Sequence, residues 1–210
     1  TQNQAFSALL FLYKNVLGVQ LPWMDQITPA KKKPRLPVVL SRREIRRVLA
    51  QLEGAHRLQA SLMYGAGLRL MECCRLRVKD VDLDRREIVV RGGKGGKDRT
   101  SLLPDGLVEP IEAHLEKQFV LHRKRVVDGV AWVELPNALE RSRPGEGQSW
   151  AWQWVFPARS TYLHEASGQR RRHHLHQSSL QRAVAKAVRD AGIAKRASCH
   201  SLRHTFAHIC

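Results

Sequence analysis

Apolar residues near the start of the chain recur at helical spacing. Residues 2–17, QNQAFSALLFLYKNVL, place leucine, phenylalanine and valine three and four positions apart, which predicts one helix. We expect its packing partners to precede it, so that residues 1–20 form the last helix of a helical domain. Residues 21–40 contain four prolines, which favour an extended linker.

A second domain is expected over residues 41–210. Ser41-Arg-Arg-Glu is a capping box ahead of an amphipathic segment, so a helix begins there. The order of the remaining elements predicts an α+β fold, mostly helical with a small antiparallel sheet. Helices are expected through about residue 78, strands near 87–91 and 99–103, a long helix over 106–126 and a further helix over 177–193 that ends at Gly192.

Residues 127–172 differ from this pattern. They contain Trp132, Trp150, Trp152 and Trp154, a Pro-Gly turn and the start of the basic run RRRHH. Turn residues and scattered aromatic residues without a regular period predict a loop-rich insertion.

The chain is strongly basic. The chain has 36 Lys and Arg against 19 Asp and Glu, a net charge of +17, and the excess recurs in several segments. A polyanionic partner, nucleic acid, is the first expectation; a basic protein that is merely soluble is the alternative. No stretch approaches the roughly 20 apolar residues that span a bilayer and no secretory signal opens the chain, so we expect no membrane contact and a cytoplasmic location.

Basic residues in the linker extend this expectation. We predict that they lie along a DNA backbone, although a solvated linker that contacts nothing is the alternative. They are Lys31, Lys32, Lys33 and Arg35.

Three short motifs supply candidate chemistry for a phosphodiester. Arg69 lies in an apolar run, where an unpaired guanidinium is costly, so it needs an anion or Glu72. His200 and Arg203 are three apart on a predicted helix and can meet one ligand. A glycine-rich turn, RGGKGGKDRT, places a lysine at the tip of a hairpin.

These groups can share one reaction. Two guanidinium groups can stabilise a pentavalent phosphorane, while a lysine protonates the leaving 5′ oxygen and a histidine assists. Neither a metal ion nor another cofactor is required. Taken singly, HxxR is also typical of a surface ion pair and GKGGKDR of an ordinary basic turn.

In these motifs the chain resembles the tyrosine recombinases, the phage-integrase and Xer-type family, over residues 41–210. GAGLRLMECCRLRVKDVDL is similar to the family's first box, GKGGKDR to its lysine turn and HSLRHTF to its HxLRH box. The resemblance implies that Arg69 and Arg203 clamp the scissile phosphate, Lys94 is the general acid and His200 is the box II histidine. Spacing alone leaves open which lysine of the turn acts. The resemblance also implies that Glu72 orients Arg69, with a purely structural ion pair as the alternative, and that Lys97 and Arg99 contact the DNA backbone.

The same resemblance implies an organisation. Residues 41–210 are then the catalytic domain, and residues 1–20 are the end of a core-binding domain whose full-length protein works as a homotetramer on DNA. The family's nucleophilic tyrosine belongs beyond Arg203. Tyr13, Tyr64 and Tyr162 match no nucleophile position, so we expect the nucleophile to be absent from this chain and the fragment alone to be inactive.

The insertion over 127–172 resembles the additional segment of integron integrases, which implies recognition of folded single-stranded hairpin sites as well as duplex sites. An extrahelical base gains roughly 1–3 kcal/mol on an aromatic ring, and Trp152 is the preferred platform; packing of the tryptophans into the core is the alternative. A further alternative is a zinc site formed by His173 and His174 together with His164 and His176. The expected nucleic-acid contacts of the basic run are Arg170, Arg171, Arg172, His173 and His174.

Two other functions stay open from the sequence. One is a Xer-like or phage recombinase that acts on duplex sites. The other is a non-catalytic DNA-binding module.

Overall fold

The computed structural model describes residues 2–20, 36–93 and 95–209 and divides the chain into two compact units, Thr1–Leu36 and Pro37–Cys210. In the first unit, helix α1 covers Gln2–Phe11 and a π-helical turn continues it over Leu12–Val16. The helix predicted over 2–17 is thus present. The basic cluster of the linker lies outside the described residues.

The second unit begins with three helices. They are α2 (Arg42–Ala50), α3 (Gly54–Gly65) and α4 (Leu70–Cys74). The predicted capping box is formed: the Ser41 hydroxyl accepts from the Glu44 amide at 3.2 Å and the Glu44 carboxylate accepts from the Ser41 amide at 2.7 Å. This reciprocal pair satisfies two donors that a helix start leaves free.

A short sheet separates these helices from the long one. Its strands are β1 (Val81–Asp82), β2 (Glu87–Val90) and β3 (Arg99–Leu102), paired antiparallel in that order. Register pairs Val90 with Arg99, so the lysine turn closes the β2–β3 hairpin as predicted. Helix α5 then covers Asp105–Val127.

The predicted loop-rich insertion is more ordered than the sequence suggested. It contains helix α6 (Asn137–Ser142), 3₁₀ turns over Pro144–Gln148 and Trp150–Trp152, and a second hairpin, β4 (Pro157–His164) with β5 (Gln169–His174). Helices α7 (Gln177–Asp190) and α8 (Cys199–Ile209) complete the unit. The α+β prediction is confirmed.

The hydrophobic core joins the helices to the end of the insertion. Leu62, Met63, Ile111 and Leu202 are fully buried, and so are Val155 and Phe156 from the segment that precedes β4. Among the described residues no helix is long and apolar enough to cross a membrane.

Candidate active site

A left-handed glycine places the first arginine. Gly67 has φ +62°, a conformation that favours glycine, and a Cβ atom built there would lie 2.6 Å from the Phe206 ring of α8. Leu68, next in the chain, is fully buried. This anchor fixes Arg69 at the N-cap of α4, with its side chain 36% exposed.

Helix α8 brings the second motif to the same place. Arg203 Nη1 donates to the Gly67 carbonyl, so the box II arginine grips the backbone that carries Arg69. Thr205, fully buried two residues further along α8, accepts from the Leu40 amide at 3.0 Å and holds the helix against the start of the unit. His200 is exposed on the first turn of α8, and its ring centroid lies 5.7 Å from that of His204.

Glu72 is the centre of the cluster. Arg69 Nη1 lies 2.6 Å from Oε1, the Arg69 amide donates to Oε2 at 2.7 Å, and Arg203 Nη1 lies 3.7 Å from Oε2. The Glu72 side chain is only 9% exposed. Burial alone would raise its pKa, but hydrogen bonds from Arg99 and from Arg69 outweigh burial and lower the pKa of Glu72 to about 2.

Arg99 is the third guanidinium on this carboxylate. Its Nη1 donates to Oε1 at 2.9 Å and its Nη2 to Oε2 at 2.8 Å, a two-point pair typical of arginine and carboxylate. The sequence assigned Arg99 to the DNA backbone. In the structure both terminal nitrogens of Arg99 donate to Glu72, and its contact with the DNA backbone stays a prediction.

The lysine turn lies against this cluster. The Gly93 amide donates to the Lys97 carbonyl at 3.0 Å, and the Asp98 carboxylate accepts from the Gly92 amide at 2.8 Å. Lys97 is exposed. Lys94 lies outside the described residues, so its predicted role stays a prediction.

Like charge affects the clamp. Burial lowers the pKa of Arg203, the Arg69 charge lowers it further, and Glu72 opposes both. Three guanidinium groups beside a single carboxylate leave an excess of positive charge, which an incoming phosphate would relieve.

Comparison with known proteins identifies the domain that carries this site. Residues 39–209 match the phage integrase family. The chain belongs to the phage integrase family.

Relatives extend across nearly the whole chain. An integrase/recombinase of Escherichia coli and one of Pseudomonas aeruginosa are each 46% identical over 207 residues, which is 99% of this chain and 61% of the relative. Tyrosine recombinase XerA of Thermococcus kodakarensis is 45% identical over 97 residues, 45% of this chain and 34% of XerA. A crystal structure of XerA recombinase superimposes with a TM-score of 0.55 at 25% identity, covering 98% of this chain and 60% of that one. The chain therefore spans less than two thirds of these relatives' length.

The tryptophans of this phage integrase domain are engaged in packing. Trp154 is buried, with the Arg77 guanidinium 3.1 Å from its ring centroid, and Trp150 packs edge-on against Phe119 at 5.2 Å. Trp152 is partly exposed, and Lys79 Nζ lies 3.1 Å from its ring centroid. Trp152 thus retains some access to solvent with a cation already on its ring.

The basic strand β5 divides into exposed and buried members. Arg170 and His173 are exposed, whereas Arg171 and His174 are 4% and 5% exposed. Arg171 pairs with Glu140 and with Gln169, and Arg172 donates to the Ala158 carbonyl at 2.7 Å. The protein itself buries Arg171 and His174, so Arg170 and His173 are the accessible members of this strand, and the DNA contacts stay a prediction. Among the described residues no group of three His, Cys, Asp or Glu is placed to hold a metal ion.

Sequence reasoning missed Arg77. Its Nη1 donates to the Trp152 carbonyl and its Nη2 to the Glu134 carbonyl, each at 2.7 Å, so one side chain ties the end of box I to two parts of the insertion. Burial lowers the pKa of Arg77 to about 10. The available signal was an arginine in a largely apolar box, the same signal that identified Arg69.

Proposed function

We propose that the protein is a site-specific DNA recombinase of the tyrosine type, which cuts a strand and rejoins it through a phosphotyrosine intermediate. One observation carries the proposal: Arg69 and Arg203, from two motifs 134 residues apart, converge on Glu72 in a phage integrase domain. A net charge of +17 supports DNA as the substrate.

The donor inventory supports a phosphate clamp. A guanidinium has five N–H donors. Arg69 uses Nη1 on Glu72 and Arg203 uses Nη1 on the Gly67 carbonyl, which leaves other terminal donors of both for a ligand. Glu72 acts as a positioning residue that holds the Arg69 side chain.

The proposed reaction replaces the bond between phosphorus and O5′ with a bond between phosphorus and the tyrosine oxygen. The tyrosine hydroxyl loses its proton to a neighbouring base or to water as its oxygen attacks phosphorus, a P–O bond to tyrosine forms, and the P–O5′ bond breaks. Lys94 transfers a proton to the leaving O5′, and the two arginines stabilise the extra negative charge on the non-bridging oxygens. His200, exposed beside Arg203, hydrogen-bonds the phosphate. The bond energy stays in the phosphotyrosine and drives rejoining.

The finer proposal concerns the substrate. The insertion is proposed to recognise folded hairpin sites of the integron type, with Trp152 as a platform for an extrahelical base and with Arg170 and His173 as contacts. A base on Trp152 would displace or share the ring with Lys79. The full-length protein is proposed to act as a homotetramer on DNA.

The first test measures cleavage and binding separately. A binding selection with the 210-residue chain, offering hairpins and duplexes of random sequence, supplies the site. We expect Arg69→Ala and Arg203→Ala in the complete gene product to reduce covalent trapping on a nicked version of that site by roughly 10²-fold or more, as loss of preorganised charge stabilisation does. Binding should fall much less.

Arg86→Ala is the matched control, because Arg86 forms an exposed ion pair with Asp105 at the far end of the same sheet. If Arg69→Ala and Arg203→Ala lower only binding, each reducing the salt slope by about one, the protein is a non-catalytic DNA-binding module. The 210-residue chain alone should not trap DNA, since none of Tyr13, Tyr64 and Tyr162 matches the nucleophile position. A covalent adduct on one of them would refute that.

A second experiment separates the two substrate classes. The similarity to XerA over 97 residues favours a duplex-acting recombinase as the other candidate. The selection itself discriminates: enrichment of hairpins with protruding bases, lost in Trp152→Ala but kept in Ala151→Ser, supports the integron type. Enrichment of duplexes that is indifferent to Trp152 supports the Xer-like type.

A further inference from the structure

Arg99 differs from the other two arginines in how it uses its donors. Both of its terminal nitrogens bond to Glu72, at 2.9 and 2.8 Å, one to each carboxylate oxygen. Arg69 and Arg203 each commit only Nη1 to the cluster. Arg99 is therefore held at both terminal nitrogens, as a structural ion pair is, whereas Arg69 and Arg203 are held at Nη1 and keep Nη2 for a ligand.

This ion pair lies beside the lysine turn. A Cβ atom built at Gly93 would lie 2.9 Å from the Lys97 carbonyl oxygen, 3.6 Å from Arg99 Nη1 and 3.7 Å from Glu72 Oε1. Gly93 thus lies in ordinary contact range of the Arg99–Glu72 pair, and a methyl group there would clash with the Lys97 carbonyl on the other side of the turn. Arg99 is also the first residue of β3 and pairs in register with Val90 of β2.

Burial makes this ion pair effective. Glu72 is 9% exposed and Arg99 is 34% exposed, so water competes little for the carboxylate. A two-point pair fixes orientation as well as distance. The same carboxylate also orients Arg69, so it links the first box to the hairpin.

We infer that Arg99 is a positioning residue: its pair with Glu72 holds Gly93 and the start of β3 beside the arginine clamp, and proton donation from the lysine turn depends on that support. This inference rests on the proposed function, because it takes Lys94 as the proton donor.

A sulfur leaving group tests it. In a 5′-bridging phosphorothiolate the P–S5′ bond breaks and a thiolate leaves without needing a proton, because the pKa of a thiol is about 8.5. A defect in proton delivery is then rescued, and a defect in charge stabilisation on the non-bridging oxygens is not. Cleavage of oxygen and sulfur versions of the selected nicked site is measured in the complete gene product.

Three variants define the expected result. Arg99→Ala should cut the oxygen substrate roughly 10²-fold more slowly, within the range of a lost general acid, and the sulfur substrate within about tenfold of the parent. Lys94→Ala should show the same pattern as Arg99→Ala: slow cleavage of the oxygen substrate and nearly normal cleavage of the sulfur substrate. Arg203→Ala should be slow on both substrates, and Arg86→Ala should be normal on both.

Two further variants guard against a folding artefact. Arg99→Lys keeps the charge but cannot make the two-point pair, so it should recover only part of the oxygen cleavage. Gly93→Ala leaves Arg99 in place and distorts the turn, because the added methyl group would lie 2.9 Å from the Lys97 carbonyl oxygen, so it should reproduce the Arg99→Ala pattern. Circular dichroism of each variant reports whether the fold is kept.

The outcomes separate the inference from the function beneath it. If Lys94→Ala is not rescued by sulfur, Lys94 is not the general acid and that part of the proposed function fails. If Lys94→Ala is rescued but Arg99→Ala and Gly93→Ala are not, the positioning role of Arg99 is overturned. Normal cleavage by Arg99→Ala overturns it too, as does a loss confined to DNA binding, which would make Arg99 a backbone contact.

Discussion

One carboxylate sets the charge balance of the candidate active site. Glu72 accepts from Arg69 and Arg99 and lies 3.7 Å from Arg203 Nη1, so a single negative charge is shared by three positive ones. Removing it would leave three guanidinium groups in mutual repulsion. A neutral residue of the same shape therefore tests the electrostatic part alone.

We predict that Glu72→Gln lowers the free energy of unfolding at pH 7 by roughly 1–3 kcal/mol, because it leaves buried donors unsatisfied. The loss should lie near the lower end of this range, because water partly screens the exposed arginines. The folded pKa of Glu72 is about 2, below its ordinary value of 4.5. The stabilisation is therefore complete above pH 4.5 and is lost as pH falls from 4.5 toward 2.

Urea unfolding of the 210-residue chain, followed by tryptophan fluorescence at several pH values between 7 and 3.5, measures this difference. Asp105→Asn is the control, because Asp105 pairs with Arg86 while 81% exposed and should change stability little. A difference between wild type and Glu72→Gln that stays constant across this pH range would show that the loss comes from the acceptor oxygen that the amide replaces and not from the charge of the carboxylate.

Sequence spacing was enough to predict contacts between residues that lie close together along the chain. Arg69 and Glu72 are one helical turn apart, and the i, i+3 rule gives their contact directly. The pairing of Arg99 with the same carboxylate joins residues 27 apart and depends on the register of the β2–β3 hairpin. The sequence shows only an arginine beside lysines in a basic turn, which is typical of a DNA contact. Its acceptor, Glu72, is brought to it by the tertiary structure and could not be read from spacing.

At the scale of elements, the insertion is joined to the rest of the unit by Arg77. The guanidinium donates to the carbonyls of Trp152 and Glu134 and covers the Trp154 ring at 3.1 Å. Hydrogen bonds from a charged donor contribute about 1.5–3 kcal/mol each, and a desolvated cation–π contact contributes about 2. These contacts couple the end of box I to the 3₁₀ turn Trp150–Trp152.

We predict that Arg77→Ala loosens the insertion locally, with amide exchange accelerated at least tenfold over residues 131–156 and little changed in α2 and α3. Two carbonyls lose their donor and Trp154 loses the cation that fills the space above it. Hydrogen exchange with mass spectrometry measures both regions in one experiment. Arg143→Ala, at an exposed position of the same insertion, is the matched control. Uniform acceleration in all helices would mean that Arg77 supports the whole core.

The insertion also shows what the hydrophobic pattern cannot give. Strands β4 and β5 have sequences PARSTYLH and QRRRHH, in which charge replaces the alternation of apolar and polar residues that predicts a strand. The remaining signal was the turn between them, with Gly168 at φ +65°. Val155 and Phe156 lie inside the predicted insertion and yet belong to the core, so a deletion of 127–172 would remove core side chains, typically costing about 3–5 kcal/mol for a phenylalanine.

At the scale of the molecule, we expect charge to determine the affinity for DNA in the proposed function. Each phosphate neutralised by Lys or Arg contributes about −0.9 to the slope of log K against log salt. If the linker follows the DNA backbone as predicted, replacing Lys31, Lys32, Lys33 and Arg35 by glutamine makes the slope shallower by about three to four. Fluorescence anisotropy with the 210-residue chain and the selected site, from low to high salt, measures it.

The control removes exposed positive charge from a helix that also carries acidic residues. Lys117, Arg123 and Lys124 of α5 are exposed, with Glu109, Glu112 and Glu116 on the same helix, so their local field is less favourable to phosphate. Replacing them by glutamine should leave the slope nearly unchanged. An equal change per charge in both sets would mean that the net charge of +17 attracts DNA diffusely. A change confined to the linker would mean that the basic cluster contacts individual phosphates and sets the register of the protein on its site.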